Sequence, residues 1–245
     1  MTPKNALRAI DRHLPWGQLY RGDAKACPCC EGRFRAMRRF HGRPDARCPG
    51  CGALERHRSL WLFLRDEFGI ERLRGRMLHV APEVIFERKF AALPNLEYIR
   101  GDLAPQRPGI RRLDVTSIDF PDDTFDIIVI NHVLEHVPDD RAAIAELRRT
   151  LRPTGVVIMQ HPRDEALAET YEDSSIVTKA DRRQHFGQVD HVRLYGRDFF
   201  DRLRAGGFDV ETHRYADEVS PQDRDLFALA PLGSADPGND IHLLS

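Results

Sequence analysis

The run Phe125-Asp126-Ile127-Ile128-Val129-Ile130 constrains this chain more than any other stretch. It is short, apolar and β-branched, with no polar alternation, which is the pattern of a parallel strand buried on both faces. From Asp139 onward Ala143, Ile144, Leu147 and Leu151 recur at helical spacing. Pro153 and Gly155 close that helix ahead of a second apolar run, Val156-Val157-Ile158-Met159. Strand, helix and strand in this order make a crossover unit, so the expected fold class is α/β with a parallel sheet. In open sheets of this kind ligands sit beyond the carboxyl ends of the strands, where Asn131, His132, Glu135 and His136 fall.

Two motifs narrow the fold class further. His132-Val133-Leu134-Glu135-His136-Val137, with Arg152-Pro153-Thr154-Gly155 after the helix, resembles the later motifs of the class I S-adenosylmethionine (SAM)-dependent methyltransferases. The resemblance implies a Rossmann-like sheet with strand order 3-2-1-4-5-7-6 across residues 76–232, and SAM as methyl donor. It also implies the cofactor contacts: Val80, Ala81 and Glu83 at the first turn, Asp102 and Leu103 after the second strand, Asp114 and Val115 beside the adenine, then Asn131, His132 and Glu135. The first turn departs from the family, because His79-Val80-Ala81-Pro82-Glu83 contains no glycine and proline both fixes φ and removes an N–H. Glu83 is expected to accept from the cofactor's amino group. Asp102 has separate support: it follows Val80 by 22 residues, near the interval at which dinucleotide folds place a carboxylate on ribose hydroxyls. Asp102 and Asp114 can also be read as plain strand-end caps.

His132-x-x-Glu135-His136 also fits a metalloprotease pattern that needs both histidines on one helical face. Pro138 lies two residues beyond and biases its neighbour away from helix, so the motif is expected in a loop.

All five cysteines lie between positions 27 and 51. Cys27 and Cys30, then Cys48 and Cys51, form two C-x2-C pairs separated by 17 residues, the spacing of a four-cysteine structural zinc site. Four thiolates also admit an iron–sulfur cluster, and disulfides belong to oxidising compartments. Cys29 is expected to face away. Between the pairs, the basic and aromatic stretch from Arg33 to Arg43 suits RNA or a phosphate-bearing partner. It equally suits a ribbon hairpin with Phe34 and Phe40 turned inward. Leu54 to Leu64 reads as a helix joining ribbon to sheet, with His57 structural.

Charge follows the same division. Residues 1–76 hold 17 basic against 8 acidic side chains, and the rest 20 against 30, although the net charge is only −1. Such asymmetry can mark nucleic-acid contact or the mutual attraction of two halves. With 41% hydrophobic residues the chain can build a core, and it contains no apolar run of the roughly 20 residues needed to cross a bilayer. The opening residues lack the apolar centre of a secretion signal, so a cytoplasmic location is expected.

The expected organisation is an N-terminal arm (1–24) with a helix over Asn5–Leu14, a ribbon (25–55), a linker helix (56–75), the methyltransferase domain (76–232) and a loose tail (233–245). Within the domain, 163–196 is an insertion expected to lie over the substrate. His191, His185 and Asp190 are its candidate catalytic groups, and Arg193 and Tyr195, with His136, its candidate substrate contacts. A structural reading, in which the same polar groups tie the insertion to the core, stands beside it. Phe208–His213 and Leu226–Ala230 are expected to supply the last two strands. These readings point to methyl transfer to O or N of a small or sugar-containing molecule. An RNA acceptor docked by the ribbon and a non-catalytic binding protein are the alternatives; the sequence leaves the oligomeric state open.

Overall fold

Phe125–Asn131 lies at the centre of a seven-stranded sheet in the computed structural model, which describes residues 15–230 and 237–245. The helix expected over Asn5–Leu14 falls outside the described residues. We number the strands of this sheet β1 (Gly75–Val80), β2 (Leu96–Asp102), β3 (Arg111–Arg112), β4 (Phe125–Asn131), β5 (Leu151–Gln160), β6 (Val210–His213) and β7 (Ile241–Leu244). Their spatial order is 3-2-1-4-5-7-6, as the motifs imply. Strands β1 to β5 are parallel, and β7 runs antiparallel to both β5 and β6.

The unbroken apolar run of β4 has a direct cause. Ile127 and Val129 enter one core layer while Ile128 and Ile130 enter the other. Full burial of each such side chain is worth about 1.5–3 kcal/mol over exposure, which favours apolar residues at all four of these positions. Helices α1 (Glu55–Asp66) and α2 (Val84–Ala91) cover the first face through Leu60, Trp61, Phe86 and Phe90. Helix α3 (Asp140–Thr150) covers the second through Ala143, Ile144 and Leu147. Helix α4 (Lys179–Phe186) belongs to the insertion, and α5 (Phe199–Ala205) returns to the second face with Phe199 and Leu203.

Local signals set the helix ends. The Asp139 carboxylate accepts from Ala142 N at 2.9 Å and starts α3. Helix α1 has leucine at its cap, and His57 compensates by accepting from Leu54 N through Nδ1 at 3.0 Å. Helix α3 stops at Thr150, so Leu151 opens β5, which runs on through Pro153 and Gly155.

The ribbon consists of two antiparallel hairpins, Arg21–Ala26 with Arg33–Phe34 and Arg38–Phe40 with Arg43–Arg47. Phe34 turns inward as expected and joins Met37, Trp61 and Phe90 in the first core layer. Phe40 does not: it is partly exposed and stacks on His41 at 4.2 Å. Arg58 of α1, fully buried, donates to the carbonyls of Ala46 and Ala53 in the ribbon and of Phe227 and Ala228 near the C-terminus. Ribbon, helix and sheet therefore share one core.

Two expectations about the C-terminal part are corrected. Leu226–Ala230 is not a strand: Leu226 ends a helix begun at Pro221, and the following carbonyls bond Arg58 and not a ladder. The seventh strand comes instead from Ile241–Leu244, inside the segment expected to be loose, where His242 to Leu244 pair with Met159 to Val157.

Candidate functional site

The cysteines form the first constellation. Backbone bonds close each C-x2-C turn, from Glu31 N to Cys27 O (2.7 Å) and from Gly52 N to Cys48 O (3.0 Å). The sulfurs of Cys27 and Cys51, and of Cys30 and Cys48, lie 3.7 Å apart, and all four fall within 4.8 Å of one another. A tetrahedral ion with Zn–S bonds of about 2.3 Å needs sulfur edges of about 3.8 Å, so the set fits zinc. Cys29 faces away, with Sγ 3.5 Å from the His57 carbonyl oxygen.

The second constellation is a cavity of about 680 Å³ at the carboxyl ends of β1, β2 and β4, within the range of about 300–1,000 Å³ usual for ligand sites. Val80, Ala81, Asp102, Leu103, Asp114, Val115 and His132 line it, so seven of the ten residues expected around a cofactor meet there. Asp102 uses Oδ1 to accept from Ala104 N at 2.8 Å. Asp114 uses Oδ1 for the N–H and hydroxyl of Thr116. Each carboxylate keeps a second oxygen for a ligand. Ala81 sits at φ +48°, so the turn takes a left-handed step of the kind that favours glycine without having one.

Glu83, Asn131 and Glu135 do not line this cavity. Glu83 faces α1 instead, accepting from His57 Nε2 at 2.9 Å and from Asn131 Nδ2 at 2.8 Å, with Arg56 at 3.8 Å. Burial would raise its carboxyl, but His57, Arg56 and Asn131 overcome that and hold it at about 2. Both of its oxygens are thereby engaged within the protein. Asn131 is equally engaged, taking Gln160 N on its own oxygen.

A second cavity, about 840 Å³, adjoins the first. Its walls come from the ribbon (Phe40, Arg43), the start of α1 (Glu55, Arg56), the insertion (Arg183, His191) and the β4 loop (Glu135). His132, His136 and Asp190 line both cavities and mark their junction. The β4 loop is a single 3-10 turn, Leu134–His136, entered through His132 at φ +51°. The H-x-x-E-H residues thus do not share an α-helical face, in line with the loop expected.

The candidate catalytic groups divide. His191 is buried, on the wall of the second cavity, its ring 4.7 Å from that of His136. Burial lowers its basicity despite nearby Glu135 and Asp190, so the imidazole is neutral near pH 7. His185 lines neither cavity; it bonds the Tyr171 hydroxyl at 2.8 Å on the outer side of the insertion.

Arg193 and Tyr195 are not substrate contacts in this arrangement. Arg193 is buried and donates to the carbonyls of Leu134, Val137 and Pro138 and to Glu172. The Tyr195 hydroxyl donates to Asp140 at 2.8 Å. Both hold the β4 loop against the insertion, which is the structural reading of that cluster. Sequence reasoning missed Arg56 and Arg183 at the second cavity, since nothing in their local sequence signals a site that forms only when the ribbon folds back.

Residues 76–159 match a family model described as a methyltransferase domain. An uncharacterised 37.1 kDa transposon protein of Streptomyces fradiae is 31% identical over 99 residues, 40% of this chain and 28% of that protein. Phosphatidylethanolamine N-methyltransferase of Cereibacter sphaeroides is 38% identical over 53 residues, 21% of this chain and 26% of that protein. The chain thus spans little more than a quarter of the length of these relatives. Among solved structures, a SAM-dependent methyltransferase of Mesorhizobium loti superposes with a TM-score of 0.49 at 18% identity, covering 76% of this chain and 96% of that one. Residues 76–159, the stretch that carries nearly all of strands β1 to β5, are thus a match to a methyltransferase domain, set in a sheet with the strand order that the sequence motifs imply.

Proposed function

We propose that the protein transfers a methyl group from SAM to a hydroxyl or amine of a small molecule held between the ribbon and the sheet. One observation carries the reading: a cofactor-sized hollow at the β1, β2 and β4 ends opens at His132, His136 and Asp190 into a second, more polar cavity. When bound, SAM supplies a methyl on a sulfonium sulfur, so the chain must align an acceptor and, for a hydroxyl or amine, take up one proton. Asp102 and Asp114 offer oxygens to a nucleoside, while Val80, Leu113 and Val115 offer apolar wall. His191 is the leading proton acceptor, neutral by burial and next to the junction, with His136 beside it. Asp190 fixes His136, whose Nδ1 lies 3.2 Å from its carbonyl oxygen.

In this reading the four cysteines hold a structural zinc, since all four positions of a tetrahedral ion are filled by protein. A small acceptor is favoured over RNA because four of the ribbon's cations are engaged within the protein: Arg33 pairs with Asp23, Arg43 with Glu55, and Arg38 and Arg47 lie over Trp16 and Phe40. The test is release of S-adenosylhomocysteine (SAH) from SAM across panels of hydroxyl, amine and RNA acceptors. Turnover with small acceptors that is lost in His191→Ala supports the reading. Turnover with RNA alone, or SAM binding without turnover on any panel, refutes it.

A further inference from the structure

Glu135 is the anomaly of the junction. It is 1% exposed, and among the described residues neither carboxylate oxygen has a hydrogen-bond partner. Its nearest basic group, His132 Nδ1, stands 3.6 Å away, beyond hydrogen-bonding distance. Burying a carboxylate in that condition is unfavourable unless something cationic meets it. Glu135 is among the residues that line the second cavity, and two imidazoles stand beside it: one ligand atom each from Glu135, His136 and His191 lie within 4.8 Å of one another.

We propose that Glu135, His136 and His191 bind a divalent transition-metal ion, distinct from the ion of the four cysteines. Two imidazoles and one carboxylate are the donor set of zinc sites that keep a position open, and of related iron(II), cobalt(II) and manganese(II) sites. The orientation of His136 agrees, because Nδ1 faces the Asp190 carbonyl at 3.2 Å and leaves Nε2 for the ion. The far histidine is His191 from the insertion and not His132, so the set differs from the H-x-x-E-H protease pattern. Because Glu135, His136 and His191 all line the second cavity, an ion held by them would be within reach of a hydroxyl or other oxygen donor of an acceptor bound there. This role rests on the methyl-transfer reading and modifies it: a metal-bound His191 would no longer take the proton, and the ion would make a bound hydroxyl acidic enough to release its proton to solvent water as the methyl is transferred.

The test titrates cobalt(II) into the full chain with its cysteine-bound zinc in place. One further equivalent is expected to bind, with visible absorption and no thiolate-to-cobalt band in the near ultraviolet. Glu135→Gln and His136→Asn should each abolish that equivalent while leaving the zinc content unchanged; His136 is partly exposed, so at least one of the two is expected to fold normally. Cobalt that binds only by displacing zinc, with a thiolate band, overturns the proposal. Unaltered cobalt binding in either folded variant does so too, as does an acceptor amine that occupies the site while cobalt does not. SAH affinity, measured on the same samples, tests the methyl-transfer reading separately.

Discussion

The imidazole of His57 and the carboxylate of Glu83 meet at 2.9 Å, tying the helix that follows the ribbon to the turn that follows β1. Both ring nitrogens are used, since Nδ1 caps α1 by accepting from Leu54 N. The contact makes the ribbon's exit and the turn after β1 one unit, and it accounts for an acidic residue at position 83 without any ligand.

That pair sets a pH dependence. Glu83 is held at about 2 against an ordinary value of 4.5. A carboxyl depressed by folding contributes stability above its unfolded value and loses it as pH falls through the folded one. The contribution is therefore full above about pH 5 and gone by about pH 2, with a size on the order of 3 kcal/mol at most. Urea unfolding of the wild type and Glu83→Gln between these limits should show the acid limb flattened in the variant. SAH affinity should change less than about threefold, because Glu83 does not line the cavity at the strand ends.

Cys48→Ser should release the cysteine-bound metal and destabilise the whole chain, not the ribbon alone. Phe34 and Met37 share a core layer with Trp61 and Phe90, so losing the ribbon uncovers one face of the sheet. A loss above about 4 kcal/mol, in the class of metal-site losses, is expected in denaturant unfolding with metal analysis of the same sample.

Arg193→Ala removes a buried guanidinium that serves three carbonyls of the β4 loop. The cost should be about 3–5 kcal/mol, as for breaking other buried charged networks. Arg193→Lys should recover little, because one ammonium cannot span that fork. Equilibrium unfolding of both variants checks the ranking.

Ala81→Gly should leave stability unchanged or raise it by up to about 1 kcal/mol, since glycine relieves a left-handed alanine at some entropic cost. Thermal unfolding measures the change. Ala81→Val should lower stability by more than the glycine variant raises it.

The parts of the fold that local chemistry dictates were legible in the sequence. The β4 run, the helical spacing from Asp139 onward and the C-x2-C spacing each specify their structure within a few residues, and the sheet order followed from the motif resemblance. The last strand was not legible. Leu226–Ala230 is apolar enough for a ladder, yet the carbonyls of Phe227 and Ala228 are claimed by Arg58, 169 and 170 positions earlier, while Ile241–Leu244 is a strand of only four residues after a Gly- and Pro-containing stretch. The insertion was hard to read for the same reason. Arg193 and Tyr195 look like ligand-binding side chains until Leu134, Val137 and Asp140 are brought against them. Asp102 and Asp114 were easier, because strand ends meet at one rim whatever lies between them in sequence.

The most direct test of the account is calorimetric titration of SAH into the wild type and Asp102→Ala. The account predicts one site in the wild type and an affinity at least about tenfold lower in the variant, a loss of about 1.4 kcal/mol or more. Absence of SAH binding at millimolar concentration, or equal affinity in the two proteins, would contradict it.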